Sequence, residues 1–322
     1  ELRMIVAGGK TVAAVCRVPA YVVGDGTHTI SELVAQKNER RANNPLMRRY
    51  PISQFDHLEK QLGLSLEHVP ARGEFVQLAS VSNVGLGGEA VSLIDVLHPS
   101  FCELARRAFE ALPGATQVGL DVLVRDFSAD AFEDNACIIE ANSDPAIATP
   151  AFAAYGPPAL GIASDLMDVV AQMVARRSEK PKLAPVLAPA DVFDPPADGP
   201  AFPASYRLQA RLLRDAGRQR GLEVEELSAD MTRMRGGGVT HIFCHGMSDA
   251  TLLAARRASN DKQWTRTLLK AKGVAVPEGA AFAAADRNKA WAHAQELGMP
   301  VVVKPVDGSG GKGVYTDIRS YE

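Results

Sequence analysis

Residues 301–314 read VVVKPVDGSGGKGV, a short apolar run that leads through one lysine into a glycine-rich stretch. Gly308, Gly310 and Gly313 fit the G-x-G-x-x-G spacing of a dinucleotide-binding turn, but such a turn has to open a helix. Residues 314–318 read VYTDI and favour a strand instead. The pattern therefore predicts a glycine-rich hairpin between two strands, whose backbone amides can close over phosphate oxygens.

Two details of this stretch bear on its ligand. The G-x-x-x-x-G-K-[ST] phosphate loop does not fit, because Lys312 precedes Gly313 and a valine follows. Lys304 lies within the predicted strand 299–305, where an unpaired ammonium would be costly and a nucleotide phosphate would be a suitable partner. The alternative is a surface turn with an edge-strand lysine, and we favour nucleotide binding.

Three oxygen-bearing side chains follow two other predicted strands, 118–124 and 136–141. Asp121 is central in the first strand, and Glu140 and Asn142 end the second. Since residues i and i+2 of a strand share a face, Glu140 and Asn142 project together, and Asp121 joins them if the strands pair. Two carboxylates and an amide oxygen suit Mg²⁺. The alternative is that these are ordinary solvated strand ends.

Other candidate residues give weaker signals. Asn83 precedes three glycines within residues 82–90 and could present its amide to an anion, although a plain flexible loop is the simpler interpretation. Arg17 on an apolar strand faces either a phosphate or solvent. His241 and His245 are four residues apart, but no third ligand is evident nearby, so we predict no zinc site. Cys244, His245 and Ser248 form no recognisable catalytic triad, and a structural role is favoured for all of them.

The chain has 322 residues, of which 46% are hydrophobic and 23% charged, as in an ordinary soluble globular protein of one large or two average domains. A net charge of -3 argues against a nucleic-acid surface, and no apolar run approaches a membrane span. Four widely spaced cysteines without a C-x-x-C motif are typical of reduced thiols, so we expect a cytoplasmic protein. The first residue is Glu1, so the beginning of a longer chain, including a leader, could be missing.

Strands and helices alternate along the sequence, which predicts α/β or α+β layers. Strands are expected at 3–7, 11–17, 118–124, 136–141, 241–244, 299–305 and 314–318. Helices are expected at 29–38, where Thr29 and Glu32 form a capping box, and at 103–112, 164–176, 205–221, 261–272 and 286–297. Seven prolines in residues 180–205 are incompatible with regular structure and predict a linker between two folded parts.

Together these motifs resemble the ATP-grasp superfamily of carboxylate–amine ligases. The likeness is greatest to the branch containing cyanophycin synthetase, the bifunctional glutathione synthetases and N-acetylglutaminylglutamine synthetase. It covers most of residues 1–176 and 240–322. The segments that carry it are residues 17–30, the Asn83, Gly87 and Gly88 loop, residues 95–99, 119–121, 139–142, 260–262, 267–269 and 276–279, and residues 300–313.

The resemblance implies a role for each candidate residue. Lys262 and Lys304 would bind the ATP phosphates and the adenine side. Asp121, Glu140 and Asn142 would hold Mg²⁺ or Mn²⁺. The groups that stabilise the transferred phosphoryl group would be Arg17, Asn83, Gly87 and Gly88. The flexible loop over the phosphates would consist of Asp307, Gly308, Ser309, Gly310, Gly311, Lys312 and Gly313.

The order of the two halves along the chain differs from their order in the family. Residues 1–176 resemble the C-terminal, metal-binding lobe, and residues 258–322 resemble the N-terminal, nucleotide-binding lobe in truncated form. Residues 177–204 would be the linker, and residues 205–257 a small pre-ATP-grasp βαβ element. The hinge that holds the adenine is missing. We favour a window cut from a tandem protein over a permuted single unit, which predicts that the isolated chain is inactive.

The function that the resemblance implies is an ATP-dependent ligase. It would join amino acids or short peptides through an acylphosphate intermediate. The alternative is a non-catalytic nucleotide-binding or regulatory module, and an NAD-dependent oxidoreductase would require a helix after Gly313. Small amino-acid or peptide substrates are expected as partners, with no nucleic acid and no membrane. A monomer and a homo-oligomer both remain open.

Overall fold

The computed structural model describes residues 1–112, 114–178, 204–308 and 312–321, without the side chains of 173–178 and 204–206. The proline-rich linker predicted at 177–204 lies almost wholly outside the described residues.

The strands, in chain order, are β1 (Leu2–Ala7), β2 (Lys10–Val18), β3 (Tyr21–Val23), β4 (Phe75–Gln77), β5 (Glu89–Ser92), β6 (Gln117–Val124), β7 (Ala136–Asn142), β8 (Glu223–Glu226), β9 (Met231–Gly236), β10 (Val239–Cys244), β11 (Met247–Ser248), β12 (Val301–Val303) and β13 (Tyr315–Ile318). The α-helices are α1 (Ile30–Arg41), α2 (Ser100–Glu110), α3 (Ala148–Ala151), α4 (Ile162–Ser178), α5 (Ala204–Gln219), α6 (Leu253–Asn260), α7 (Lys262–Ala271) and α8 (Arg287–Leu297). Shorter helical turns cover Met47–Arg49, Leu58–Leu62 and Val84–Leu86. The mixed α/β class expected from the sequence is confirmed.

A five-stranded antiparallel sheet in the order β5-β2-β1-β6-β7 is the centre of the fold. Side chains alternate between its two faces, so consecutive residues of β1 enter different cores. Met4 packs with Phe101 of α2 in one core, whereas Ile5 packs with Leu166 of α4 and Leu213 of α5 in the other. Helices therefore cover both faces of this sheet.

A second sheet, ordered β11-β10-β9-β8, is antiparallel throughout and follows α5. The βαβ arrangement expected over residues 205–257 is therefore wrong in its topology. Parallel strands need a crossover of a dozen or more residues, whereas β9 and β10 are joined by the tight turn Gly237-Gly238. Both glycines of this turn have positive φ, 57° and 78°. Phe243 of β10 and Met234 of β9 join the core that α4 and α5 share with the central sheet.

The late part of the chain packs on the edge of the central sheet. Ala255, Leu269 and Val274 are buried in the same core as β6 and β7. The backbone N–H of Ile138 in β7 donates to the carbonyl of Ala275 at 3.0 Å. Helices α6 and α7 are thereby held against the strand that carries Glu140 and Asn142.

The antiparallel pair of β3 and β4 forms a smaller unit with α1, which lies between them in the chain. Thr29 caps α1, and the expected capping box with Glu32 is present, which confirms the predicted start of that helix. Lys37 and Arg41 of α1 both reach the buried carboxylate of Glu89, with N···O distances of 3.0 and 3.1 Å. This buried ion pair network joins α1 to the edge strand β5.

The last two strands form a two-stranded antiparallel sheet, as the glycine-rich hairpin predicts. β12 is shorter than the predicted strand 299–305 because Pro300 and Pro305 lack the N–H that a ladder needs. Lys304 therefore follows the strand and is not inside it. Among the residues with described coordinates, none of the helices combines the length and apolarity that crossing a membrane requires.

Candidate functional site

The three oxygen-bearing side chains predicted as a set lie together on β6 and β7. Asp121 is directly opposite Glu140 in the antiparallel register, and Gly119 is opposite Asn142. A side chain at position 119 would not fit, since a Cβ there would lie 2.7 Å from Pro145 Cβ and 3.0 Å from Asn142 Oδ1. The glycine thus leaves room for the Asn142 amide beside the two carboxylates.

Two arginines hold the Asp121 carboxylate. Arg3 is its partner on β1, and Arg3 Nη2 donates to Asp121 Oδ2 at 2.9 Å while Arg3 Nε contacts Oδ1. Arg17 Nη2 lies 3.2 Å from the same Oδ2 and also pairs with Glu1. Burial alone would lower the pKa of Arg17, but Asp121 and Glu1 outweigh it, and the pKa is raised. Arg17 is therefore a fixed cation at this site.

Arg3 was missed in the sequence analysis. The signal was present, because Arg3 is the one charged residue in the six-residue strand Leu2–Ala7. A cation in so apolar a run needs an anionic partner. The partner could not be named, because the pairing of β1 with β6 brings together residues far apart in sequence.

The donor set fits a divalent cation that prefers oxygen. Asn142 Oδ1 is buried and has no hydrogen-bond partner in the part of the chain that the structure describes. A buried carbonyl oxygen without a donor is costly, and a cation would satisfy it. Together with the carboxylates of Asp121 and Glu140 it forms an all-oxygen set of the kind that Mg²⁺ accepts. These residues could hold the metal, although the Asp121 oxygens are shared with Arg3 and Arg17.

Lys262 reaches this site from the late part of the chain. It is the first residue of α7, whose N-cap Asp261 accepts from the N–H groups of Gln263 and Trp264 at 2.9 Å. The Lys262 ammonium lies 3.8 Å from Glu140 Oε2 and donates to the carbonyl of Gly308 at 2.7 Å. It therefore connects the glycine-rich hairpin to the strand that carries the carboxylate.

Lys304 lies beside Lys262 near the same strand. Its ammonium lies 3.4 Å from the carbonyl of Ile139, which it contacts as a donor. The residue as a whole is exposed, but its ammonium is partly desolvated, and this together with the charge of Lys262 lowers the pKa of Lys304. Glu140 acts in the opposite direction. The site thus gathers four cations (Arg3, Arg17, Lys262 and Lys304) around three carboxylates (Glu1, Asp121 and Glu140).

The glycine-rich hairpin is only partly within the described residues. Asp307, Gly308, Lys312 and Gly313 are described, whereas Ser309, Gly310 and Gly311 lie outside that part of the chain. The strand β13 follows the hairpin at Tyr315–Ile318. An NAD-dependent oxidoreductase required a helix at this point, so the dinucleotide interpretation is excluded.

The loop around Asn83 already uses the groups that were assigned to phosphoryl binding. The side chain of Asn83 accepts from the N–H of Gly85 at 2.9 Å. The N–H of Gly87 donates to the carbonyl of Val84, and that of Gly88 donates to the carbonyl of Asn83. A role for these amides in phosphoryl binding stays a prediction, and it requires the loop to release them. The loop does lie near Arg17, since Ser82 Oγ donates to Glu1 at 3.1 Å.

Comparisons with known proteins show which families this chain is similar to. Residues 261–317 match the family described as the carbamoyl-phosphate synthase L chain, ATP-binding domain. The glutathione biosynthesis bifunctional protein of Mannheimia succiniciproducens is 38% identical over 154 residues, which are 45% of this chain and 20% of that protein. The cyanophycin synthetase of Crocosphaera subtropica is 32% identical over 192 residues, or 58% of this chain and 21% of that protein.

Among solved structures, a bifunctional glutathione synthetase from Pasteurella multocida aligns with 54% of this chain and 24% of its own, at 29% identity and a TM-score of 0.45. The chain spans about a fifth of the length of the curated relatives it matches. The resemblance seen in the sequence is confirmed by the family match and the curated relatives. This protein is similar to ATP-grasp ligases of the branch that includes bifunctional glutathione synthetases and cyanophycin synthetases.

Proposed function

We propose that this protein is part of an ATP-dependent carboxylate–amine ligase that joins amino acids or short peptides. One observation carries the proposal: Lys262 from the late part of the chain lies 3.8 Å from Glu140, on the strand that faces Asp121. A magnesium-bound triphosphate needs cations for its phosphates and carboxylates for its metal. Both kinds of group lie at the same site.

The proposed reaction has two steps. A carboxylate oxygen of the first substrate forms a bond to the γ-phosphorus of ATP, and the bond from that phosphorus to the bridging oxygen breaks, releasing ADP. The nitrogen of the second substrate then attacks the acylphosphate carbonyl, loses a proton and displaces inorganic phosphate. Catalysis of phosphoryl transfer depends mainly on positioning and on neutralising charge.

The residues of this site suit these tasks. Lys262, Lys304 and Arg17 would bind phosphate oxygens, with Arg3 holding Asp121 in place. Asp121, Glu140 and Asn142 would hold a divalent metal, Mg²⁺ or Mn²⁺, which would neutralise phosphate charge when bound. Asn83 and the amides of the loop 82–88 would act only after that loop rearranges.

We also propose that the early and late portions form one composite site within a chain. Support comes from the shared core that contains Leu269 and Leu120, and from the hydrogen bond between Ile138 and Ala275. The lobes at 1–176 and 258–322, the linker at 177–204 and the pre-ATP-grasp-like element at 205–257 stay proposals. The tandem arrangement instead assigns the two portions to different active sites. Nucleotide binding by the isolated chain would favour the composite site.

A second candidate function is a nucleotide-binding module without chemistry. It is favoured because two arginines already pair with the Asp121 carboxylate. In addition, the N–H groups of Gly87 and Gly88 already donate to carbonyls of their own loop. The two candidates differ in turnover. The full-length protein should release ADP only when a carboxylate and an amine substrate are both present, assayed against pools of amino acids and dipeptides. Nucleotide binding without any substrate-dependent ADP release would refute the ligase.

The proposal includes a cytoplasmic location. Its support is that Cys16, Cys102, Cys137 and Cys244 are all free thiols. Such thiols are typical of a reducing compartment.

A further inference from the structure

A second group of side chains of the types that bind metals lies apart from the site of Asp121, Glu140 and Lys262. Cys244 is the last residue of β10, His245 follows it in the turn to β11, and Asp230 directly precedes β9. One donor atom from each of the three lies within 4.8 Å of the others. The hairpin pairing brings Asp230 beside Cys244 and His245, which is why no third ligand was evident from the sequence.

The imidazole of His245 is held on both sides. Its Nδ1 lies 3.0 Å from Oδ2 of Asp144, and its Nε2 lies 3.2 Å from Oδ2 of Asp230. The backbone fixes the same arrangement, because the N–H of His245 donates to the carbonyl of Asp230 at 2.8 Å. The N–H of Gly246 donates to the other oxygen of Asp144 at 3.2 Å. His245 also has a positive φ of 55°, a conformation that the surrounding contacts must stabilise.

We propose that Cys244 Sγ, His245 Nε2 and the Asp230 carboxylate bind one divalent transition metal ion of the zinc class, with Asp144 as the carboxylate that orients the histidine. A metal-bound histidine commonly donates its other ring N–H to a carboxylate, which fixes the tautomer and the ring orientation. Asp144 occupies that position.

The types of donor atom determine which metal ion the cluster would prefer. Sulfur, nitrogen and oxygen together suit Zn²⁺ and Co²⁺, whereas Mg²⁺ and Ca²⁺ take oxygen ligands. Around a tetrahedral zinc ion, neighbouring donors lie roughly 3.3–3.6 Å apart, given the usual zinc–nitrogen and zinc–sulfur bond lengths. The distance of 3.2 Å from His245 Nε2 to Asp230 Oδ2 is close to this, and the thiol of Cys244 lies within 4.8 Å of both donors.

The thiol of the cluster borders a pocket. Cys244 lines this open pocket of about 260 Å³ together with Met247, Ser248 and Arg256. A tetrahedral site with three protein ligands takes a water or a small ligand as its fourth. Asp230 itself is buried, and its second oxygen accepts from Ser228 Oγ at 2.6 Å, so its carboxylate is already oriented.

The position of the cluster suggests what the metal would do. Asp144 follows β7 by two residues, whereas the three ligands lie on β10 and on the turns that flank β9 and β10. The metal would therefore strengthen the contact between the sheet of β8–β11 and the strand that carries Glu140 and Asn142. Because only the folded chain assembles the ligands, binding should raise the melting temperature in proportion to the logarithm of metal concentration over Kd.

Cobalt titration of the full chain tests the proposal. The protein is stripped with a chelator and titrated with Co²⁺ in excess Mg²⁺, which occupies oxygen-only sites. We expect one equivalent to give a sulfur-to-cobalt charge-transfer band and strong visible d–d bands. Zn²⁺ should displace the cobalt and raise the melting temperature. Binding that gives no sulfur band would overturn the proposal and leave the cluster as an ion pair of His245 between two aspartates.

Matched variants decide which residues bind. Cys244→Ser should abolish the charge-transfer band. Cys137→Ser, which removes a half-buried thiol of β7, should retain the band. Asp144→Asn should weaken cobalt binding about 10–100-fold and still give the band at saturation. A band that persists in Cys244→Ser contradicts the assignment. Circular dichroism and melting of the metal-free variants verify that they fold, and the nucleotide site is not involved in any of these readouts.

Discussion

The ammonium of Lys262 lies 3.8 Å from Oε2 of Glu140, which pairs the first residue of α7 with the strand β7. The two residues belong to portions of the chain that the proline-rich stretch separates. Their proximity rests on apolar packing, since Leu269 of α7 is fully buried in the same core as Leu120 of β6. A cation and a carboxylate from separate portions are thereby held at one site.

The first prediction concerns Glu140. Glu140→Gln removes a charge from the proposed metal site and from its contact with Lys262 while preserving shape. We expect the affinity for nucleotide in the presence of Mg²⁺ to fall about tenfold or more. A tenfold change in Kd corresponds to a loss of about 1.4 kcal/mol of binding free energy. Binding without Mg²⁺ should change much less.

Calorimetric titration of the chain with ADP, with and without Mg²⁺, measures both affinities. Glu133→Gln is the control, because Glu133 is exposed in the turn between β6 and β7. An equal loss with and without Mg²⁺ would contradict a metal-binding role for Glu140.

The second prediction concerns Lys304. A hydrogen bond to a charged group contributes about 1.5–3 kcal/mol, so Lys304→Met should weaken ADP binding roughly 10–100-fold. Methionine keeps much of the aliphatic length, and the melting temperature should change little. Lys289→Met is the control, because Lys289 is exposed on α8 and pairs locally with Asp286. Unchanged binding in Lys304→Met would remove this lysine from the site.

Local sequence signals predicted the single elements well and their long-range pairing poorly. The capping box of α1 and the apolar strands of Asp121 and Glu140 follow from neighbouring residues, and the structure has them. The partner of Arg3 depends on strand order, which no local pattern specifies. The antiparallel sheet after α5 was missed because β8 and β9 carry many charged residues, which pair across the strands, as Arg233 does with Glu225 at 2.9 Å.

The third prediction concerns the packing of the late portion on the central sheet. Leu269→Ala should destabilise the chain by about 2–5 kcal/mol, the usual cost of truncating a fully buried leucine. Hydrogen exchange should accelerate at the N–H of Ile138, because its acceptor Ala275 follows α7 closely. Leu253→Ala is the control, since Leu253 is exposed on α6 and should change stability by less than about 0.5 kcal/mol. Unchanged exchange at Ile138 would show that the two portions are not coupled.

The fourth prediction is a pH dependence near α1. A hydrogen bond from His28 Nδ1 to Asp25 Oδ2, at 2.5 Å, raises the pKa of His28 above its ordinary value. Because the pKa of His28 is higher in the folded than in the unfolded chain, its protonation stabilises the fold at pH values below the unfolded pKa of about 6.5. This stabilisation disappears as the pH rises through the folded pKa. Asp25→Asn should therefore shift the His28 titration to lower pH.

Nuclear magnetic resonance of histidine-labelled protein measures this titration directly. Glu67→Gln is the control, because Glu67 is an exposed carboxylate on a neighbouring stretch of chain. An unchanged His28 titration in Asp25→Asn would refute the role of the hydrogen bond.

The fifth prediction concerns the buried ion pair network at Glu89. Glu89→Gln leaves the charges of Lys37 and Arg41 uncompensated, so we expect a loss of about 3–5 kcal/mol in urea unfolding at neutral pH. Burial already lowers the pKa of Lys37, and without Glu89 it should fall further. The destabilisation should therefore shrink as the pH rises, because Lys37 can then lose its proton. Glu39→Gln on the exposed side of α1 is the control, and a loss as small as the control's would show that Glu89 does not stabilise the fold.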